Sequence, residues 1–311
     1  MNDATDRDLV SYLLGQACTP VDPPIAAIGE AARQRHGGVA AVLFYGSCLR
    51  DTDTKQGSDQ EDDDNIADLY LLVDTYRAAY DRWLPAFFNW VLPPNVSYIE
   101  AEHEGRTVRA KYAVMTLEHF ERGAARWLHP YVWARFAQPC RLAYQREEAI
   151  AERVGAALAS AVRTLAREVG PLIPDPSGSA ALWVGAFRRT YRVELRAEEP
   201  GRAQQLYEAD RNHYDTATAY LRAENMLATA GARARAAAQL KWAVRRPWGK
   251  ILSVARLAKA AFTFRDGVTY ILWKIERHSG VSVTPTPWQR RHPILASTTL
   301  FWRLYARGAF K

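Results

Sequence analysis

Two short, nearly continuous apolar runs frame the first third of the chain. Residues 39–45 (VAAVLFY) and 66–73 (IADLYLLV) have the pattern of strands buried in a sheet. Residues 6–16 and 25–36 read as helices, separated by the Pro-rich step at 21–24, and Gly37-Gly38 ends the second. A third helix is predicted over 76–92 in spite of Pro85, closed by Pro93-Pro94-Asn95. Strands over 96–102 and 107–115 then flank His103-Glu104-Gly105-Arg106 as a hairpin. Strand, strand, helix, hairpin implies a mixed sheet with flanking helices over residues 1–145.

After Tyr144 the pattern changes. Segments 146–169, 180–198, 201–230, 232–244, 249–264 and 267–278 all read as helices rich in Ala, Leu and Arg. Gly201, Gly231, Pro247 and Gly280 punctuate them, so 146–280 is expected to be an all-α domain. A tail, 281–311, starts with a Pro-containing linker and ends in an apolar–basic stretch. There Leu300, Phe301, Leu304, Tyr305 and Phe310 cluster among Arg303, Arg307 and Lys311. Such an amphipathic helix either lies in a membrane interface or packs on the protein's own surface. The fold class is α+β.

Composition narrows the setting. With 48% hydrophobic and 24% charged residues in 311, the chain is an ordinary globular protein large enough for two domains. The acidic start MNDATDRDLV lacks the apolar core of a signal peptide, and no stretch approaches a membrane span. Cys18, Cys48 and Cys140 are scattered, without CxxC spacing, which suits a reducing compartment and argues against disulfides or a zinc site. The net charge of +7 conceals an asymmetry: residues 231–311 hold 16 Lys and Arg against two acids, Asp266 and Glu276. A basic C-terminal quarter implies an anionic partner.

The candidate chemistry lies at 41–74. Tyr45-Gly46-Ser47 ends the first strand, where backbone N–H groups and a hydroxyl can face phosphate oxygens. Asp68 opens the second strand. A carboxylate entering a buried strand needs a partner: magnesium with substrate phosphates, or a basic side chain or cap. Nucleotidyltransferases place a second carboxylate two residues on, where this chain has Tyr70; Asp74 has the right parity but lies too far along. The acidic run 59–64 reads mostly as a solvated loop. Arg109 and Lys111 share one face of the hairpin, and Lys111 could neutralise triphosphate charge or extend out as an edge-strand lysine.

Together these motifs resemble the mitochondrial-type phosphatidate cytidylyltransferases, peripheral CDP-diacylglycerol synthases of the nucleotidyltransferase superfamily. Tyr45-Gly46-Ser47 is similar to that family's YGS step, with Cys48 in place of the next glycine. Ser58-Asp59-Gln60 resembles its SDQ, Asp68 its single strand-borne Asp, and Lys111-Tyr112-Ala113-Val114 its KYGV segment. Tyr131, Arg135 and Pro139 match its Tyr-x-x-x-Arg-x-x-x-Pro pattern. Residues 191–196 resemble YSGDxR, with Arg192 and Val193 for Ser and Gly, and Glu194 for Asp. Residues 245–274 resemble its basic helical region. The likeness spans most of 40–275 as short islands in a shared order.

The resemblance implies a nucleotidyltransferase-like sheet domain, a winged-helix-like second domain and a C-terminus docked on a membrane. It implies transfer of CMP from CTP to phosphatidic acid or a similar anionic lipid, giving CDP-diacylglycerol and pyrophosphate, with Mg2+. Tyr45, Gly46, Ser47 and Lys111 would bind nucleotide, and Asp68 the metal; Asp68, Lys111 and Ser47 would carry catalysis. Tyr191, Glu194 and Arg196 would shape the acceptor side. Arg245, Arg246 and Lys250 would meet the lipid phosphate or form a solvated helix face. The expected location is cytoplasmic, peripheral on the inner face of the membrane. Two alternatives stand beside this: a nucleotidyltransferase or binding module acting on RNA through Trp242, Trp248 and Trp273, and a catalytically dead membrane adaptor.

Overall fold

The computed structural model describes residues 3–54, 66–193, 201–263, 284–286 and 288–289. At its centre is a five-stranded mixed sheet of β1 (Val39–Tyr45), β2 (Ile66–Val73), β3 (Asn95–His103), β4 (Arg106–Thr116) and β5 (Cys140–Gln145). The spatial order is β3-β4-β2-β1-β5. β2 and β4 run parallel, and the other neighbouring pairs are antiparallel. β1 and β2 are interior strands covered on both faces, which is why their sequences are continuously apolar. β5 was not expected. Its sequence CRLAYQ mixes polar and apolar residues, as suits an edge strand paired with β1 alone.

Helices cover both faces. α1 (Asp3–Ala17) and α2 (Pro23–Gln34) precede the sheet in sequence and take opposite faces. Ile25, Ile28 and Ala32 of α2 pack with Val42, Phe44, Leu69, Leu71, Tyr112 and Val114. Leu9 and Leu13 of α1 join Leu43, Tyr70, Leu72 and Met115 on the other side. The expected polar loop after Gly46 begins instead as a helix, α3 (Ser47–Thr54). The run 76–92 is not one helix: it divides into α4 (Tyr76–Ala79) and α5 (Trp83–Val91). Pro85 falls in the first turn of α5, where a missing N–H breaks no intrahelical bond.

The second face is closed by α6 (Leu117–Ala125), α7 (Trp133–Phe136) and α8 (Glu148–Val169), and then by α9 (Ser179–Tyr191). The segment 201–230 divides into α10 (Arg202–Ala209) and α11 (Arg211–Ala223). One apolar cluster runs from Leu9 through Tyr70, Phe120, Trp133, Leu158, Trp183 and Tyr214 to Trp242. Past Gln145 the described residues contain no strand. The predicted helix 267–278, Ser58-Asp59-Gln60 and all of the tail except residues 284–286 and 288–289 lie outside the described residues.

The last described helix, α12 (Ala232–Thr263), passes straight through Pro247. The proline deprives the Ala243 carbonyl of its helical partner, but both residues are exposed, so water can satisfy it. Gly249 is no breaker either. A Cβ there would stand 2.1 Å from Val193 Cγ1, so glycine is what allows α12 to lie against the end of α9.

Candidate phosphate-transfer site

The strand register assembles the predicted residues. Tyr45 of β1 pairs with Asp68 of β2, and Asp68 pairs with Lys111 of β4. The row continues to Cys140 on β5 and Tyr98 on β3. Residues opposed in a ladder share a face, and neighbouring strands lie about 4.8 Å apart, so one carboxylate and one ammonium stand side by side. Tyr45, Asp68 and Lys111 are each half-buried, at the rim of the apolar face.

Gly46 follows immediately, with φ +97°. A Cβ on it would come within 2.9 Å of Asp68 Oδ2, so glycine serves both the left-handed backbone and the space beside the carboxylate. Ser47, exposed, begins α3 and lies at that helix's N-terminus, the end with free backbone N–H groups. The register and the Gly46 contact thus bring together all five nucleotide-side residues expected from sequence.

The second-carboxylate position has a different use. Tyr70 is fully buried, and its hydroxyl accepts a 3.1 Å bond from Arg135 Nη1. Burial, with Tyr131 close by, raises its phenol well above the ordinary range, so it stays a neutral acceptor. Arg135 also lies 4.3 Å from the Tyr131 ring centre and 5.6 Å from that of Tyr45. Arg256 of α12 stacks on Tyr131 too, at 4.3 Å, and donates to the Pro93 carbonyl at 3.2 Å. Lys259 donates to the Leu92 and Pro94 carbonyls, and burial together with Arg256 pushes its ammonium down to about 7.

His129 sits beneath this cluster. Its Nδ1 accepts the Tyr131 N–H at 3.0 Å. Burial first, then Arg256, Arg135 and Arg245, push its imidazole down to about 3, so it adds no charge at neutral pH. The side facing Tyr45 and Tyr70 is therefore cationic, suited to phosphate groups. Tyr131 and Arg135 were visible through the family likeness. Arg256, Lys259 and His129 were not singled out, since nothing local in a basic helix marks which cation turns toward the sheet.

The acceptor-side expectations separate. Tyr191 closes α9, half-buried; Glu194 and Arg196 lie outside the described residues. Arg245 is 0% exposed: Nη2 bonds Glu168 Oε2 at 2.6 Å, Nε bonds the Leu128 carbonyl at 2.5 Å, and Trp242 stacks at 4.4 Å. Its guanidinium is a structural anchor rather than a lipid contact. Arg246 is exposed and, with Arg189 and Arg235, lines a cavity of about 320 Å³; Lys250 is exposed. Trp242, one of three aromatics considered for base stacking, is buried and donates to the Glu168 carbonyl at 2.8 Å. Trp273 lies outside the described residues.

For a metal, Asp68 is the carboxylate in the row. Asp74, at the far end of β2, is held by both Arg146 Nη atoms at 2.7 and 3.0 Å. Among the described residues no group of three or more His, Cys, Asp or Glu side chains converges. Magnesium typically takes one or two protein carboxylates and completes its shell with water and substrate phosphates. A half-buried Asp68, its carboxylate set against Gly46, fits that use. No protein-family model matches the chain, and no curated protein sequence matches it.

Proposed function

We propose that the protein is a nucleotidyltransferase that moves CMP from CTP to the phosphate of phosphatidic acid or a similar anionic lipid. The observation that carries the reading is the in-register row Tyr45–Asp68–Lys111 beside Gly46 and the N-terminus of α3. A phosphate oxygen of the acceptor attacks the α-phosphorus of CTP. The new P–O bond joins acceptor and CMP, the α–β bond breaks, and pyrophosphate leaves with its electron pair. The acceptor is already an anion at neutral pH, so no general base is needed. The work left to the protein is orientation and charge neutralisation.

Gly46 and Ser47 hold the β- and γ-phosphates against the α3 N–H groups. Lys111 meets the charge that grows on the leaving oxygen. Asp68 is the residue that would hold magnesium, which when bound supplies further neutralisation of the triphosphate. Arg135 and Arg256, fixed by Tyr70 and Tyr131, supply the positive field that brings two polyanions together. Tyr191 and the residues after it remain the proposed acceptor side. The test is pyrophosphate release from CTP with magnesium and phosphatidic acid. Release that requires the lipid supports the reading; no release from CTP overturns it.

A further inference from the structure

α5 is built inside out. Its polar residue, Asn89, is fully buried and bonds the Val114 carbonyl, the Tyr80 hydroxyl and the Asn95 N–H at 2.8–3.0 Å. Its aromatic and aliphatic residues face out instead. Trp83 (64% exposed), Leu84, Phe87, Phe88, Trp90 (62%) and Val91 occupy an arc of about 160° at roughly 100° per residue. No residue of the helix is charged. In water such an arc is unfavourable, yet the Asn89 network holds it in place.

α12 repeats the device. Its inner face carries Trp242, Arg245, Gly249 and Arg256, which pack against the body. On the opposite face Leu240 (70% exposed), Val244, Trp248, Ile251 (58%) and Val254 fall within an arc of about 120°. Lys241 borders this stripe on one side, and Arg246 and Lys250 on the other. The whole 32-residue helix has eight Lys and Arg and no acid. Arg256 and Lys259 bond the carbonyls of residues 92–94, directly after α5, so the two helices are tied together where α5 ends. Nothing among the described residues covers either apolar face.

We propose that α5 and the outer face of α12 form a docking surface for an anionic lipid bilayer. Tryptophan and phenylalanine at interfacial depth, an aliphatic stripe and flanking cations without acids are what such a surface requires. A protein partner recognised by apolar burial alone would not call for a helix stripped of every acid. The described helices include none long and apolar enough to cross a membrane, so attachment here is in the plane of the interface. The inference rests on the lipid reading of the acceptor for its purpose: an acceptor whose tails stay in the bilayer has to be met there.

The test is flotation of the full-length protein with phosphatidylcholine vesicles, with and without phosphatidylglycerol. Neither lipid is the proposed acceptor, so binding does not depend on catalysis. Wild type is expected to float with the anionic vesicles. Phe87→Glu/Trp90→Glu and Val244→Glu/Ile251→Glu should each weaken partitioning at least about tenfold. The far-UV circular dichroism spectrum and the thermal unfolding midpoint serve as the folding control and should be unchanged in both. Wild-type protein that stays with the aqueous fraction, or variants that float like wild type, would overturn the docking surface. A wild-type dimer that Trp90→Glu converts to monomer would overturn it too, assigning the face to a second copy. None of these outcomes bears on pyrophosphate release in detergent-dispersed phosphatidic acid.

Discussion

At the residue scale the site depends on one glycine, one aspartate and one lysine. Gly46 has positive φ and lies against Asp68, so Gly46→Ala adds backbone strain of about 1–2 kcal/mol and a collision with the carboxylate. The expected outcome is a loss of stability of that order in urea denaturation and loss of CTP-dependent thermal stabilisation; retention of nucleotide binding would contradict the placement. His129 gives a pH signature. Its folded pKa, about 3, is depressed below the ordinary value of about 6.5. Its contribution to stability is therefore complete above that ordinary value and is lost progressively as pH falls toward 3. His213, pushed down to about 4 chiefly by burial, acts in the same direction. His129→Gln should shift the acid-unfolding midpoint, followed by circular dichroism, to lower pH. An unchanged or higher midpoint would mean that the buried neutral imidazole is not a determinant of acid sensitivity.

At the scale of elements, α12 matters most, because it brings Arg256 and Lys259 to the sheet edge. Its seat is the Glu168–Arg245–Lys241 group, with both ion pairs at 2.6 Å. Burial alone would raise the Glu168 carboxyl, but Arg245 and Lys241 outweigh it and hold it below the usual range. Arg245→Ala removes the buried partner of a largely buried carboxylate, leaving it to the more exposed Lys241 and Arg167, and should cost about 3 kcal/mol in chemical denaturation. A loss below about 1 kcal/mol would show that α12 is seated by its apolar contacts instead. Sequence patterns revealed some elements and hid others for physical reasons. β1 and β2 were legible because interior strands covered on both faces must be apolar throughout. β5 was not, since an edge strand alternates and its Arg141 and Gln145 resemble loop residues. Gly46, Ser47, Asp68 and Lys111 could be named as candidates one by one, and the register places Asp68 beside Lys111. That Arg135 is fixed by Tyr70, or that α5 turns its aromatics outward, depends on distant contacts that no local pattern encodes.

At the scale of the molecule, the arrangement separates charge by function. A single carboxylate opens the site, cations from α7 and α12 surround its far side, and the acid-free helix leads from there to an exposed apolar surface. Helices on both sides of the sheet fix this geometry through two apolar clusters, so cations distant in sequence reach one edge. The central claim is that Asp68 and Lys111, opposed across β2 and β4, carry nucleotidyl transfer. The most direct measurement is pyrophosphate release from CTP, magnesium and phosphatidic acid by wild type, Asp68→Asn and Lys111→Ala assayed side by side. The account predicts lipid-dependent release by wild type and a loss of at least about 100-fold in each variant, matching the loss of a positioned charge at a transition state. Release by Asp68→Asn at the wild-type rate would contradict it.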